Sequence, residues 1–222
     1  GGVVNIKEIK NIIKKKKIFI IEDSAQAHGG KDNFGNNIGK HSDLSCYSFY
    51  PGKNLGCYGD GGMITTNNKK FYQRLVKFRN LGQQRKNIHD EIGVNSRLDS
   101  IQASLLNLKL KSLKKLNLKR KNIANFYKKN IKNDKIDIIK YSKNAVYHQY
   151  VVLVKNRKSL IKHLQKNLIE YGIHYPNPIN KLKCFGKFFK NKKFVNSEYI
   201  ASRCLSLPID PTLKKSEIKK VV

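Results

Sequence analysis

The chain reads as an α/β protein, and three observations carry that reading. Apolar residues at Ile6, Ile9, Ile12 and Ile13 make a helical stripe that ends in a lysine-rich turn. The continuous run Ile18 to Ile21 follows at once, bounded by charge, as suits a fully buried parallel strand. Helix feeding directly into buried strand is the cadence of an α/β layer, and the alternation resumes later in the chain.

Taken in order, the helix is expected over residues 6–17 and the strand over 18–21. Leu44 to Phe49 and Gly62 to Thr66 read as two more strands, separated by the glycine-studded segment Gly52 to Gly62. Asn67 and Asn68 offer a cap for a helix carrying Phe71, Leu75, Val76 and Phe78. A long helical pattern from Leu98 to about Asn130 runs through Ile101, Leu105, Leu108, Leu113, Leu116, Ile123 and Phe126, with Asp99 and Ser100 near its start. Beyond it come a strand over 148–154, a helix over 158–170 and a stiff aromatic-proline segment, Tyr171 to Pro178. The tail offers a helical stretch near Glu198 to Arg203, a short strand over 205–208 and a helix start near Pro211 to Ser216. A domain boundary is expected inside the long helix, dividing residues 1–115 from 116–222.

The formal charge of +31 would ordinarily suggest nucleic acid or an anionic surface. The basic residues are overwhelmingly lysine, however, and come with much Asn and Ile, the joint bias of an AT-rich coding sequence. Lysine runs such as Lys14 to Lys17 and Lys190 to Lys193 suit solvated loops and helix faces. The Lys109 to Lys121 stretch of the long helix admits two readings, a basic partner-binding helix or a connecting helix with a solvated lysine face. No aromatic stacking signature accompanies the charge, so nucleic acid is not expected as a partner. Cys46, Cys57, Cys184 and Cys204 form no CxxC pair and have no His at ligand spacing, so buried free thiols and no metal are expected. With no apolar run of about eighteen residues and no signal-peptide pattern, a soluble, cytoplasmic protein is expected, without membrane contact.

Two strand ends carry chemistry. Ile18 to Ile21 leads into Glu22 and Asp23, which places a carboxylate at the carboxyl edge of a parallel sheet. Ser45 to Phe49 leads into Tyr50-Pro51-Gly52-Lys53, a turn holding one lysine. A lysine that can form a Schiff base and an aspartate that can pair with a protonated pyridine nitrogen are the minimal apparatus of a pyridoxal phosphate enzyme. To attack an aldehyde the amine must be uncharged, and burial beside a cofactor disfavours the ammonium form. Ser48 offers a hydroxyl for a phosphate, and Gly52, Gly56, Gly59, Gly61 and Gly62 permit close backbone approach. Asp23 alone would read equally as a helix cap or structural ion pair, and the glycines alone as a loop.

Three segments resemble one family in the right order. They are Glu22-Asp23-Ser-Ala-Gln26-Ala-His-Gly29, Ser48-Phe-Tyr-Pro-Gly-Lys53 through Gly62, and Gly93-Val-Asn95-Ser-Arg97-Leu-Asp99-Ser-Ile-Gln102-Ala103. They resemble the DegT/DnrJ/StrS-type nucleotide-sugar aminotransferases, as does the later His174-Tyr175-Pro176-Asn-Pro178-Ile179, especially members that aminate keto-deoxy sugars on a thymidine diphosphate carrier. The resemblance implies a fold-type I transferase: part of a large domain with a mostly parallel sheet, plus a small C-terminal α/β domain. It implies that Lys53 is the lysine that binds pyridoxal 5'-phosphate and shuttles the proton, and that Asp23 partners the pyridine nitrogen. Gln26 would contact the ring, Ser48 the cofactor phosphate, and Asn95 the phosphate held by the other subunit of a homodimer with shared sites. His174 and Tyr175 would lie near the sugar.

The implied reaction is ping-pong, with glutamate as the usual amine donor and a keto sugar, such as a dTDP-3-keto-6-deoxyhexose, as acceptor. Asn180 departs from the family, standing where close relatives often have histidine. The resemblance begins in the middle of the family's large domain, so the chain is expected to be N-terminally truncated and unstable when expressed alone. Two alternatives stand beside the enzyme: an inactive fragment or pseudoenzyme of the same family, and a basic nucleic-acid-binding module.

Overall fold

The structure is a computed structural model that describes residues 1–14, 16–189 and 192–222. Lys15, Lys190 and Asn191 lie outside the described residues, and with them part of each lysine run and of the expected first helix. The chain forms two compact units. One comprises residues 1–118 and 142–148, the other residues 119–141 and 149–222.

In the first unit, α1 (Ile6–Ile13) stops where its apolar stripe stops, before the run of like charges begins. β1 (Ile21–Asp23), β2 (Leu44–Ser48) and β3 (Gly62–Thr65) form a sheet in that order. β1 runs parallel to β2, with Asp23 opposite Cys46, and β3 returns antiparallel, with Gly62 opposite Ser48. The described sheet is therefore mixed rather than mostly parallel, because the Phe49–Gly61 loop folds straight back on β2. A parallel pair needs a long crossover. Here it is a string of turns organised by Asp32, whose Oδ1 accepts from the amides of Phe34 and Asn36.

The first strand differs from expectation. It begins at Ile21, and Ile18, Phe19 and Ile21 are 50%, 68% and 64% exposed rather than buried. Only one face of β1 is covered: Glu22 is buried, and its Oε2 accepts from Gly39 N at 2.7 Å and Ser42 Oγ at 3.2 Å. On the other side Phe19 meets Phe71 edge-on at 5.3 Å. Phe71 belongs to α2 (Lys69–Phe78), whose cap is the expected one, Asn68 Oδ1 accepting from Lys70 N and Phe71 N. Two short strands absent from the sequence reading, β4 (Gln83–Arg85) and β5 (Ile88–His89), pair beyond α2. The helix α3 (Ser100–Asn130) then contributes Leu106 and Leu113 to a core with Phe49, Leu55 and Cys57.

In the second unit, β6 (Ile136–Ile138), β7 (Tyr150–Val154) and β8 (Cys204–Leu207) form an antiparallel sheet in that order. Tyr150, Val152 and Val154 alternate inward on β7, and Cys204, Leu205 and Leu207 are buried on β8. Tyr127, from the last turns of α3, packs edge-on against Tyr150 at 5.3 Å and donates its hydroxyl to Pro208 O at 2.8 Å. Around the sheet run α4 (Arg157–Lys166), capped by Asn156, α5 (Val195–Arg203) and α6 (Lys215–Lys220). Arg157 donates to the carbonyls of Ala201 and Cys204, closing the end of α5. The four thiols are free. Cys57 and Cys204 are buried as expected, but Cys46 is half-buried and Cys184 exposed. Among the described residues no helix is long and apolar enough to cross a membrane.

Candidate active site

Because β1 and β2 are parallel, their carboxyl ends share one edge of the sheet, with Asp23 ending β1 and Ser48 ending β2. Asp23 is exposed, and its Oδ1 accepts from Ala25 N at 3.0 Å. That bond starts a turn tied down by a buried Ser24 Oγ–Ser45 Oγ contact of 2.7 Å and by Ser24 N donating to Cys46 O. Burial first, and then the negative charge of Asp23 across the register, pushes the Cys46 thiol up. Gln26 is half-buried in the turn, and its amide makes no hydrogen bond among the described residues. Ser48 is half-buried, with Oγ 3.3 Å from Tyr50 N.

The lysine loop departs from the same edge. Lys53 N donates to Tyr50 O at 2.9 Å, and Cys57 N returns to Phe49 O at 2.9 Å, closing the loop on the strand it left. Gly56 is required by close approach: a Cβ there would sit 2.4 Å from Pro51 O and 2.7 Å from Tyr50 O. Lys53 itself is half-buried and has no acidic partner among the described residues.

The loop lies along α3. Leu55 and Cys57 turn into the core against Leu106 and Leu113, while the residues that alternate with them are bound by polar groups of the helix. Asn54 Nδ2 donates to Asn117 Oδ1 at 2.9 Å, Lys109 Nζ to Gly56 O at 2.6 Å, and Tyr58 N to Gln102 Oε1 at 2.8 Å. Gln102, Lys109 and Asn117 are each about two helical turns from the next, so they share one face of α3. Lys109, which the sequence leaves in a lysine face, is thus engaged. Its ammonium also lies 4.3 Å from the centre of the Tyr58 ring.

His28 is a residue the sequence reading passed over, although it stands inside the first motif. It is buried, with its ring centre 5.7 Å from Tyr47 and 5.9 Å from Phe49. Burial, and secondarily the positive charge of Lys53, lowers it to about 4, with the Ser48 backbone acting weakly the other way. It is therefore a neutral imidazole beside the lysine.

The other expected site residues lie elsewhere. Asn95 is exposed and paired with Asn80; its Oδ1 accepts from Arg97 Nε at 3.0 Å, and it forms no hydrogen bond with Asp23, Gln26, Ser48 or Lys53. His174 and Tyr175 belong to the second unit. There His174 Nδ1 lies 2.9 Å from Ser206 Oγ, and the backbones of Gly172 and Ser206 exchange hydrogen bonds of 3.0 and 2.8 Å. Tyr175 is exposed at the rim of a cleft of about 450 Å³ whose apolar walls include Pro178, Ile179, Phe194 and Ile200. Asn180, also on the cleft, donates to Glu198 Oε1 at 3.1 Å.

A carboxylate and a hydroxyl end adjacent parallel strands, and the loop leaving the second carries an amine; groups of these three kinds are chemically suited to pyridoxal phosphate. The fold is of the fold-type I class. The profile of the DegT/DnrJ/EryC1/StrS aminotransferase family matches residues 1–222, and the chain belongs to that family.

A dTDP-3-amino-3,6-dideoxy-alpha-D-galactopyranose transaminase of Aneurinibacillus thermoaerophilus is 41% identical over all of this chain and 61% of its own length. A dTDP-3-amino-3,4,6-trideoxy-alpha-D-glucose transaminase of Streptomyces venezuelae is 32% identical over all of this chain and 59% of its own. The crystal structure of S. venezuelae DesV in complex with a ketimine intermediate superposes with a TM-score of 0.92 at 32% identity, covering 99% of this chain and 60% of that one. A family member from Brucella abortus superposes with a TM-score of 0.89 at 32% identity, covering 99% of this chain and 59% of that one. The chain thus spans about three-fifths of the length of the relatives it matches.

Proposed function

We propose that the protein is a pyridoxal-phosphate-dependent aminotransferase that moves an amino group from an amino acid, glutamate by family habit, to the keto group of a nucleotide-linked sugar. What supports this reading is that Asp23 and Ser48 end adjacent parallel strands, with Lys53 in the loop that leaves the second, in a chain matched along its whole length by the family. The similarity to two dTDP-sugar transaminases supports a dTDP-3-keto-6-deoxyhexose as the acceptor.

When bound, the cofactor supplies a conjugated ring that accepts the electron pair released at the donor's α-carbon. Lys53 would hold it through its Nζ and, once displaced by the substrate amine, carry a proton from the α-carbon in one half-reaction and return one in the other. The carboxylate of Asp23 would keep the pyridine nitrogen protonated, Gln26 would contact the ring, and the Ser48 hydroxyl would donate to the phosphate. His28, neutral and buried, adds no positive charge beside Lys53, so it does not raise the cost of a second cation there.

On the same reading the first unit is the cofactor-binding domain and the second the small domain; the boundary expected near residue 115 falls at Leu118, and residues 142–148, expected in the small domain, belong to the first unit. His174 and Tyr175 contribute to the sugar site. Asn95, exposed in this chain, serves the phosphate of a second subunit in a homodimer. The enzyme acts on a soluble sugar nucleotide in the cytoplasm.

The test is direct. The full-length protein mixed with pyridoxal phosphate should show an absorbance band near the visible edge, and Lys53→Ala should abolish both the band and amine transfer. A band that survives in the alanine variant would refute the assignment.

A further inference from the structure

We propose that Asn117 is a positioning residue that fixes the lysine loop relative to the aspartate turn; the proposal rests on the reading of Lys53 and Asp23 given above. One side-chain amide reaches both. Its Oδ1 accepts from Asn54 Nδ2 at 2.9 Å, and Asn54 is the residue after Lys53. Its Nδ2 donates at 2.8 Å to the carbonyl of His28, in the segment that follows Asp23. A single group on a rigid helix therefore spans two segments that share no strand.

The surroundings are built for that amide. Gly29, the residue after His28, holds φ at +74°, and a Cβ there would lie 3.1 Å from Asn117 Nδ2 and 3.3 Å from Leu113 Cδ2. A glycine thus lets the backbone lie against the helix where the bond forms. Asn54 is saturated in turn: besides Asn117, its Nδ2 donates to Val146 O at 3.0 Å, and its Oδ1 lies 3.3 Å from His148 Nδ1. Lys109 and Gln102 hold the same loop further along, at Gly56 and Tyr58, but neither contacts the aspartate segment. Asn117 alone of the three links both halves.

A lysine must reach the aldehyde of a cofactor whose far side is anchored by the aspartate, so the separation of these two segments sets the effective concentration of the amine. Misplacement on the order of 1 Å is enough to cost roughly a hundredfold in such geometries. Loosening the link should therefore reduce covalent cofactor attachment and turnover without changing affinity for the amine donor.

The experiment compares Asn117→Leu, close in size but unable to hydrogen-bond, with Asn54→Leu and the double variant, all in the full-length protein at saturating pyridoxal phosphate. The expected result is a visible band weaker by several-fold, kcat lower by about ten- to a hundredfold with KM for the amine donor unchanged, and a double variant no worse than either single. A folded N117L protein with wild-type band and kcat, or additive losses in the double variant, overturns the proposal. Should N117L fail to fold, N54L breaks the same bond from the loop side, and a wild-type band there overturns it equally. A wild-type protein that shows no band overturns instead the reading of Lys53 on which the link depends.

Discussion

The two three-stranded sheets of this protein serve opposite ends. In the second unit the sheet is the core: Tyr150, Val152 and Leu205 are at most 1% exposed, and strand neighbours interlock with Tyr127. In the first unit the sheet is a platform. Ile21, Met63 and Ile64 are 64%, 46% and 46% exposed, while the reactive residues sit at its strand ends. Strands that turn a fully buried face into a core store stability, whereas strands that end in polar side chains at a shared edge store chemistry. The first unit compensates by drawing its core from the lysine loop and α3 rather than from β1.

That contrast can be broken by mutation. Leu205→Ala should cost about 2–5 kcal/mol in denaturant unfolding, because a fully buried side chain leaves a cavity. Ile21→Ala, on an uncovered face, should cost under about 0.5 kcal/mol. A comparable loss at both sites would mean that the exposed face of β1 is covered in the molecule measured.

A smaller effect separates the units by pH. His28 is lowered from 6.5 to about 4 in the folded state, mainly by burial and then by the charge of Lys53. Between those values the unfolded chain binds the proton and the folded chain does not, so stability should rise with pH across the window. The contribution is fully present above about 6.5 and is lost as pH falls through about 4. His28→Phe should flatten the profile, seen as the pH dependence of the melting temperature; an unchanged slope would place the titrating group elsewhere. Smaller again is the helix cap. Asn68→Ala should cost about 1 kcal/mol by removing the acceptor for Lys70 N and Phe71 N, again by denaturant midpoint.

Much of this was legible in the sequence, for local reasons. The Asn68 cap, β2 and β3, the long helix and β7 follow from side-chain type and period, and so does the place of Asp23 at the end of a strand and of Lys53 in the loop after one. The burial of β1 was not legible, since Ile18 to Ile21 read the same whether or not a neighbouring surface covers them. Nor were β4, β5 and β6, which are only two or three residues long and carry no alternating pattern of useful length. The least readable part was the polar row on α3. Lys109 looked like one solvated lysine among many, and Asn117 had no signal, because its role exists only once Asn54 and the His28 carbonyl are brought to the same face.

The central question is which of many lysines binds the cofactor. Borohydride reduction of the full-length protein with pyridoxal phosphate, followed by peptide mass spectrometry, answers that at residue resolution. Stoichiometric phosphopyridoxyl label is expected on the peptide containing Lys53. Label spread over surface lysines, or concentrated on a different one, would contradict it.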